Sequence, residues 1–234
     1  TEGVLGVARD ACANAGVDPG TIRAAGVGAI GPLDRAAGAV ERPANLPGIE
    51  RVPLVAPLAD LLDAPVHLRN DATAGVVGER VLGDAPDDVV YLTISSGIGA
   101  GVAVDGHVLS GRNRNAGEVG HVVVDPEGRM RCGCGRDGHW EAYCSGENLP
   151  RYAAHRHDDA PTALAVDDPA LTAADVYALA GEDDFADRVL DRVSRWNAVG
   201  VSTLVHAFAP SEIRVGGAVA LENPVAVLDP VRER

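Results

Sequence analysis

The chain has 234 residues, 46% of them hydrophobic but only 3% aromatic, and a formal net charge of −14 at pH 7. That length and apolar content suffice for one large domain or two small lobes around a core of Ala, Val, Leu and Ile, and exclude a disordered chain. The 34 acidic residues outweigh 20 basic ones, all of them Arg, which sets the surface against nucleic-acid phosphates and anionic lipid, and no uncharged apolar run approaches the roughly 20 residues of a membrane span.

Such a surface suits a saline, halophilic cytosol, where the Debye length shrinks to about 3 Å at 1 M salt; avoidance of Lys is equally a mark of a GC-rich genome. The four cysteines are too few for a disulfide scaffold, so a reducing, cytoplasmic compartment is the simpler reading. The opening TEGVLGVARD is not a signal peptide, and its lack of Met is a first sign that an upstream segment is missing.

In chain order, residues 3–16 read as an amphipathic helix with Val4, Leu5, Ala8, Ala11 and Cys12 on one face, stopped by Gly16. Residues 22–31 (IRAAGVGAIG) read as a buried strand running into a glycine turn. The stretch 61–71 reads as a helix end, a break at Pro65, a short strand, and Asn70-Asp71 at its C-terminal end; 72–83 is a helix ending at Gly83. Residues 87–111 form a β-hairpin around a Gly-rich turn, with a second tight turn at Asp105-Gly106. A composition shift near 84–88 marks the boundary between an N-terminal lobe, 1–84, and a C-terminal lobe, 85–234. Thr172-x-x-Asp175 is a capping box. The longer helix that follows places Phe185, Val189, Val193, Trp196 and Gly200 at core spacing. Residues 211–220 read as a strand, a Gly-Gly turn and a helix start. Strands alternating with helices make the chain α/β.

The chemistry concentrates in AGEVGHVVVDPEGRMRCGCGRDGHWEAYCSG, residues 116–146. His121, Cys132, Cys134 and His139 offer two thiolates and two imidazoles, a closed tetrahedral zinc set, on a loop whose Gly133, Gly135 and Gly138 accept positive φ; the alternative is a pair of free thiols in a surface loop. Glu118 and Glu141 flank the set, as acceptors for a polyol or as solvated carboxylates. Asn70-Asp71 at a strand end occupies the usual ligand position of α/β folds, and is also a common turn pair. The turn 95–101 (SSGIGAG) offers backbone N–H groups to phosphate or is simply a hairpin; with no Lys in the chain, a P-loop is excluded.

In this order the pieces resemble the ROK family of sugar kinases, sugar-responsive repressors and their relatives, over nearly the whole chain. RNDATAGVVGE resembles the family's Asn-Asp element. TISSGIGAGV is similar to its second phosphate motif, with Ser95 and Ser96 in place of the first Gly and Thr. AGEVGH and CGCGRDGHWEAYCSG resemble the zinc-loop and sugar-binding signature, and PSEIRVGGAVA the nucleotide-side Gly-Gly strand. The resemblance implies a two-lobed actin-like ATPase (ribonuclease H-like) fold of the sugar kinase type with a zinc loop, with sugar and ATP in the cleft. It favours structural Zn²⁺ on His121, Cys132, Cys134 and His139. His139 stands where the family usually has a third Cys, so the site is expected as Cys₂His₂, or with three protein ligands if Gly138-His139 points outward.

The resemblance further implies that Asp71 is the general base for a hexose hydroxyl attacking the γ-phosphate of Mg²⁺-ATP. Asn70 hydrogen-bonds the sugar near the reacting end, Glu118, His121 and Glu141 grip hydroxyls at the anomeric side, and Gly31 and Asn45 close the sugar site. Ser96, Gly97, Gly99, Gly216 and Gly217 line the nucleotide side. His121 serves both zinc and sugar through its two ring nitrogens. The family's opening Asp-x-Gly-Gly/Ala-Thr phosphate motif and its final helices have no counterpart here, which implies a truncated chain that does not turn over ATP by itself. The expected activity is phosphorylation of a hexose, glucose first, at its primary hydroxyl, by a homodimer without membrane or nucleic-acid partners. The alternatives are the effector domain of a ROK-type repressor, disfavoured by the presence of Asp71, and a non-catalytic zinc-stabilised sugar-binding fragment.

Overall fold

The structure is a computed structural model and describes residues 1–43, 48–111 and 116–233. It divides into two compact units, Thr1–Ala74 and Gly75–Arg234.

In the first unit, α1 (Glu2–Ala15) ends where Gly16 turns left-handed at φ 64°, its N–H and that of Val17 donating to Ala13 O and Cys12 O. Of its apolar face only Leu5 is buried; Val4 remains 41% exposed. The helix has few large apolar side chains and packs on α2 (Val55–Leu62). Strand β1 (Ala25–Ala29) runs parallel to β5 (Val66–Asn70), in register from Ala25↔Val66 to Ala29↔Asn70. The short strands β2 (Leu33–Asp34), β3 (Ala39–Glu41) and β4 (Arg51–Pro53) form an antiparallel sheet. Val40, Leu54 and Leu68 form the core, with Val27, Leu33 and Val52 against them.

Helix α3 (Asp71–Val81) follows β5 without a loop, and the division between the units falls inside it. The sequence reading places the boundary at 84, where composition shifts; packing divides the chain ten residues earlier. Gly75 lies against the Tyr91 ring, which a β-carbon would strike, and Val76 is fully buried with Val89 and Ala103. The second half of α3 therefore belongs with the second unit's sheet.

That sheet has the order β8-β7-β6-β9: β6 (Val89–Ile94) and β7 (Ile98–Val104) form the expected hairpin, β8 (His107–Val108) returns after the Asp105-Gly106 turn, and β9 (Glu212–Gly216) joins β6 in parallel. Asp105 and Gly106 both have positive φ, 50° and 74°, as a two-residue hairpin turn requires. Helices α4 (Glu141–Cys144), α5 (Leu149–Arg156), α6 (Ala173–Ala178), α7 (Asp184–Phe208), α8 (Ala218–Glu222) and α9 (Pro224–Arg232) complete the unit. Thr172 and Asp175 form the expected capping box on α6. Phe185, Val189 and Val193 of α7 are buried in the main core with Trp140, Tyr143 and Leu149, and Trp196 packs against it half-buried.

Candidate active site and metal centre

The four residues expected to hold zinc, His121, Cys132, Cys134 and His139, sit on one loop that folds back on itself. Backbone pairings join Val123 to His139 and Arg131 to Asp137; Cys132 N donates to Arg136 O (2.8 Å), and Gly135 N to Cys132 O (2.9 Å). Gly135 and Gly138 have φ of 87° and 76°, where a side chain is strained, and a β-carbon on Gly138 would strike Asp125 O.

This path brings one donor atom from each of His121, Cys132, Cys134 and His139 within 4.8 Å of one another. Cys132 Sγ is 3.6 Å from His121 Nδ1, and Cys134 Sγ is 3.2 Å from His139 Nδ1. Tetrahedral zinc with sulfur at about 2.3 Å and nitrogen at about 2.0–2.1 Å has ligand–ligand edges of roughly 3.3–3.8 Å; these two S–N separations are close to that range, and the four donors could together hold a closed four-coordinate ion. His139 turns inward to join the group. Burial pushes the Cys132 thiol up to about 12, and burial with the nearby His121 charge lowers His139. A cation at the centre would reverse the thiol shift, since it stabilises the thiolate.

Both imidazoles face the cluster through Nδ1. His121 thereby keeps Nε2 on the far side, 3.9 Å from Glu118 Oε2. Glu118 and His121 flank a 3₁₀ turn, Val119–His121, pressed against β7: Ala100 N donates to Gly117 O (2.8 Å), and β-carbons at Gly117 and Gly120 would strike Ala100 O and Ile98 O. Only glycine permits so close an approach.

Glu141 opens α4, and its Oε2 accepts the N–H of Ile98 at 2.9 Å. Gly146 N and Glu147 N donate to Ser95 O (2.7 Å) and Ser96 O (3.2 Å). The glycine turn is thus laced to the loop that carries the glutamates, and Ile98 N–H is engaged by a carboxylate. The sequence reading gave Glu141 to the sugar alone; nothing in its spacing from residue 98 signals this pairing.

Among the residues expected to line the nucleotide, Gly99 and Gly216 are paired with Thr93 of β6, one across each flank. A β-carbon on Gly216 would strike Tyr91 Oη, and one on Gly217, at φ 91°, would strike Ile94 O. The structure therefore gathers Gly99, Gly216 and Gly217 about Thr93, a residue sequence reasoning did not single out, while Ser96 is exposed and Gly97 half-buried at the turn.

In the first unit Asn70 ends β5, and its Oδ1 accepts from Thr73 N (3.1 Å). It caps α3 through that carbonyl oxygen. Asp71 is exposed, with Oδ1 accepting from Ala72 N (2.8 Å). Gly31 lies just beyond β1, whose last pair is Ala29↔Asn70. Asn45 lies outside the described residues.

A ROK family model matches residues 12–234. The chain belongs to the ROK family. A glucokinase of Pyrobaculum calidifontis is 40% identical over 200 residues, 86% of this chain and 64% of that protein. A glucokinase of Aeropyrum pernix is 36% identical over 246 residues, 100% of this chain and 76% of that protein. The crystal structure of a ROK family glucokinase from Streptomyces griseus in complex with glucose and AMPPNP is 32% identical, with a TM-score of 0.79, and covers 100% of this chain and 77% of that one. The chain thus spans less than two thirds of the Pyrobaculum relative. Its α/β architecture is the actin-like ATPase fold of ROK sugar kinases. Among the described residues of this ROK chain, no helix is long and apolar enough to cross a membrane.

Beneath the ROK signature lies one more group that sequence reasoning missed. Asp125, only 1% exposed, accepts from Tyr143 Oη at 2.7 Å and from Arg129 Nη1 at 2.8 Å. Burial alone would raise its carboxyl, but the hydrogen bonds from Tyr143 and the Arg129 backbone, with the Arg129 charge, hold it below the usual carboxylate range.

Proposed function

We propose that this chain belongs to a ROK glucokinase, an enzyme that transfers the γ-phosphate of Mg²⁺-ATP to the primary hydroxyl of a hexose, glucose first. The observation that carries the reading is the retained Asn70-Asp71 pair at the β5–α3 junction, in a chain 40% and 36% identical to two glucokinases. An exposed carboxylate at the end of a parallel strand is placed to meet a bound ligand and to accept a hydroxyl proton as the oxygen attacks phosphorus. Asn70 donates through its amide to the same sugar. Glu118, His121 and Glu141 accept and donate to hydroxyls at the anomeric side, and Gly31 and Asn45 belong to the same set of sugar contacts in this reading. Ser96, Gly97, Gly99, Gly216 and Gly217 give the phosphates and nucleotide close access to the backbone.

Zinc on His121, Cys132, Cys134 and His139 is structural in this reading. When bound it fixes the loop and, through Nδ1, the orientation of the His121 ring, leaving Nε2 and Glu118 to the sugar. Bound Mg²⁺ supplies charge neutralisation on the phosphates.

Sugar-dependent ADP release in a coupled assay tests the reading. In the full-length protein, Asp71→Asn is expected to lower kcat at least ~100-fold, the lower range for loss of a general base, with glucose affinity nearly unchanged. Retention of kcat would remove Asp71 from the base role. Glucose binding without ADP release, in this chain and in longer versions alike, would reduce the protein to a sugar-binding module.

A further inference from the structure

The metal loop has a second closure that uses none of its ligands. The Asp125 carboxylate accepts four hydrogen bonds: from Glu127 N (3.2 Å), Arg129 N (3.2 Å), Arg129 Nη1 (2.8 Å) and Tyr143 Oη (2.7 Å). Tyr143 Oη in turn accepts from Met130 N (2.9 Å). The Asp125 backbone closes the other side. Val124 N and Asp125 N donate to Gly138 O, Gly138 N donates to Met130 O (2.9 Å), and Gly128 N donates to Asp125 O (3.0 Å). Met130 stands two residues before Cys132, and Gly138 one before His139. The clasp therefore grips both stems of the ligand loop just below the ligands. Residues 133–137 at its tip are all exposed, whereas Asp125, Met130, Gly138 and Tyr143 are buried.

A buried carboxylate with satisfied partners is costly to disturb and specifies one geometry for what surrounds it. We infer that Asp125 is a positioning residue for the metal centre: it sets the separation of the Cys132 and His139 stems independently of the ion, and through Tyr143 it ties the loop to the helix that carries Glu141. Ligands held at the right spacing beforehand bind more tightly, because less order must be gained when the ion arrives. The inference rests on the zinc reading for affinity, but the clasp itself is a property of the loop without metal.

The experiment has two arms, run on wild type, Asp125→Asn and Tyr143→Phe. The first measures zinc affinity by competition with a chromophoric chelator and records the visible absorption of the cobalt-substituted protein. Asp125→Asn is expected to weaken zinc binding at least ~10-fold, as loss of supporting partners around a metal site does, and to shift the cobalt bands. Tyr143→Phe is expected to weaken it less. A purely structural role would lower thermal stability and leave the cobalt bands of the folded protein in place. Wild-type affinity and bands in folded Asp125→Asn would overturn the inference. The second arm follows amide exchange in metal-free protein. Met130 N–H is expected to be protected in wild type and to exchange faster in both variants, while Gly138 N–H is released only in Asp125→Asn. Should wild type take up no zinc, the metal reading fails, and an unprotected Met130 in wild type would overturn the clasp as well. Should Asp125→Asn fail to fold, Tyr143→Phe decides: unchanged zinc affinity and unchanged Met130 exchange would sink it.

Discussion

At the scale of single residues, several small side chains are fixed by what lies over them. Trp140 is fully buried, and its indole N–H donates to Asn197 Oδ1 at 2.8 Å. Its ring lies flush on Gly200 of α7, where a β-carbon would strike it. Gly200→Ala is expected to destabilise the protein by about 1–3 kcal/mol through overpacking, read as a lower thermal midpoint; an unchanged midpoint would mean that the Trp140 ring moves aside freely. Gly200 was legible in the sequence only as a core-spaced position, because the ring that demands it comes from sixty residues away. Cys132 tests the metal reading from its buried side. Wild type is expected to hold about one zinc per chain, and Cys132→Ser to lose it and loosen the loop, because structural metal binding is coupled to folding. Elemental analysis decides; a folded wild-type chain that is metal-free and indifferent to chelator would end the zinc reading.

At the scale of elements, legibility followed how local each interaction is. The α6 capping box, the Asp105-Gly106 turn and the β6–β7 hairpin are written in neighbouring residues and could be read directly. The clustering of His121, Cys132, Cys134 and His139 was legible for the same reason, since they fall within nineteen positions of one another, 121–139. The Glu141–Ile98 link, the glycines around Thr93 and the Asp125 clasp depend on strand register and loop path, which a linear pattern does not carry. Helix α1 forms where its periodicity placed it, but only Leu5 of its apolar face is buried, because periodicity predicts which side is apolar, not whether anything covers it. Helix α7 shows a local device and a distant one in a single residue. Asp183 caps it, accepting from Phe185 N and Ala186 N (3.0 and 2.9 Å), and also accepts from Thr162 Oγ1 (3.0 Å) and Ala163 N (2.7 Å) of the segment between α5 and α6. Asp183→Ala is expected to cost about 1–2 kcal/mol, the range for a lost N-cap, and to raise amide exchange at Ala163 together with the first turn of α7. Faster exchange in the helix alone would show that the loop is held by other contacts.

At the scale of the whole molecule, charge sets the conditions under which these contacts hold. The chain carries 34 acidic residues against 20 arginines, and one of those arginines, Arg214, is already engaged by Glu79, Asp84 and Glu212. The excess of carboxylates over arginines leaves a net repulsion across solvent at neutral pH. Salt screens that repulsion: the Debye length falls from roughly 30 Å at 0.01 M to about 3 Å at 1 M. Raising KCl at pH 7 is expected to raise the thermal midpoint, by about 2–4 °C for each kcal/mol of repulsion relieved in a chain of this size. Acid acts in two stages. As pH falls toward 5, partial neutralisation reduces the net charge, and the salt response is expected to shrink with it. Below about pH 4 the sign reverses. The hydrogen bonds and cations that depress Asp84, Asp125, Asp175 and Asp183 in the folded chain contribute stability that is complete above the ordinary aspartate range near 3.9 and is lost as pH drops through their lower folded values. Melting curves over a grid of KCl and pH measure both effects. A midpoint at pH 7 that stays flat or falls with salt would mean that local pairing, not long-range repulsion, governs the acidic surface.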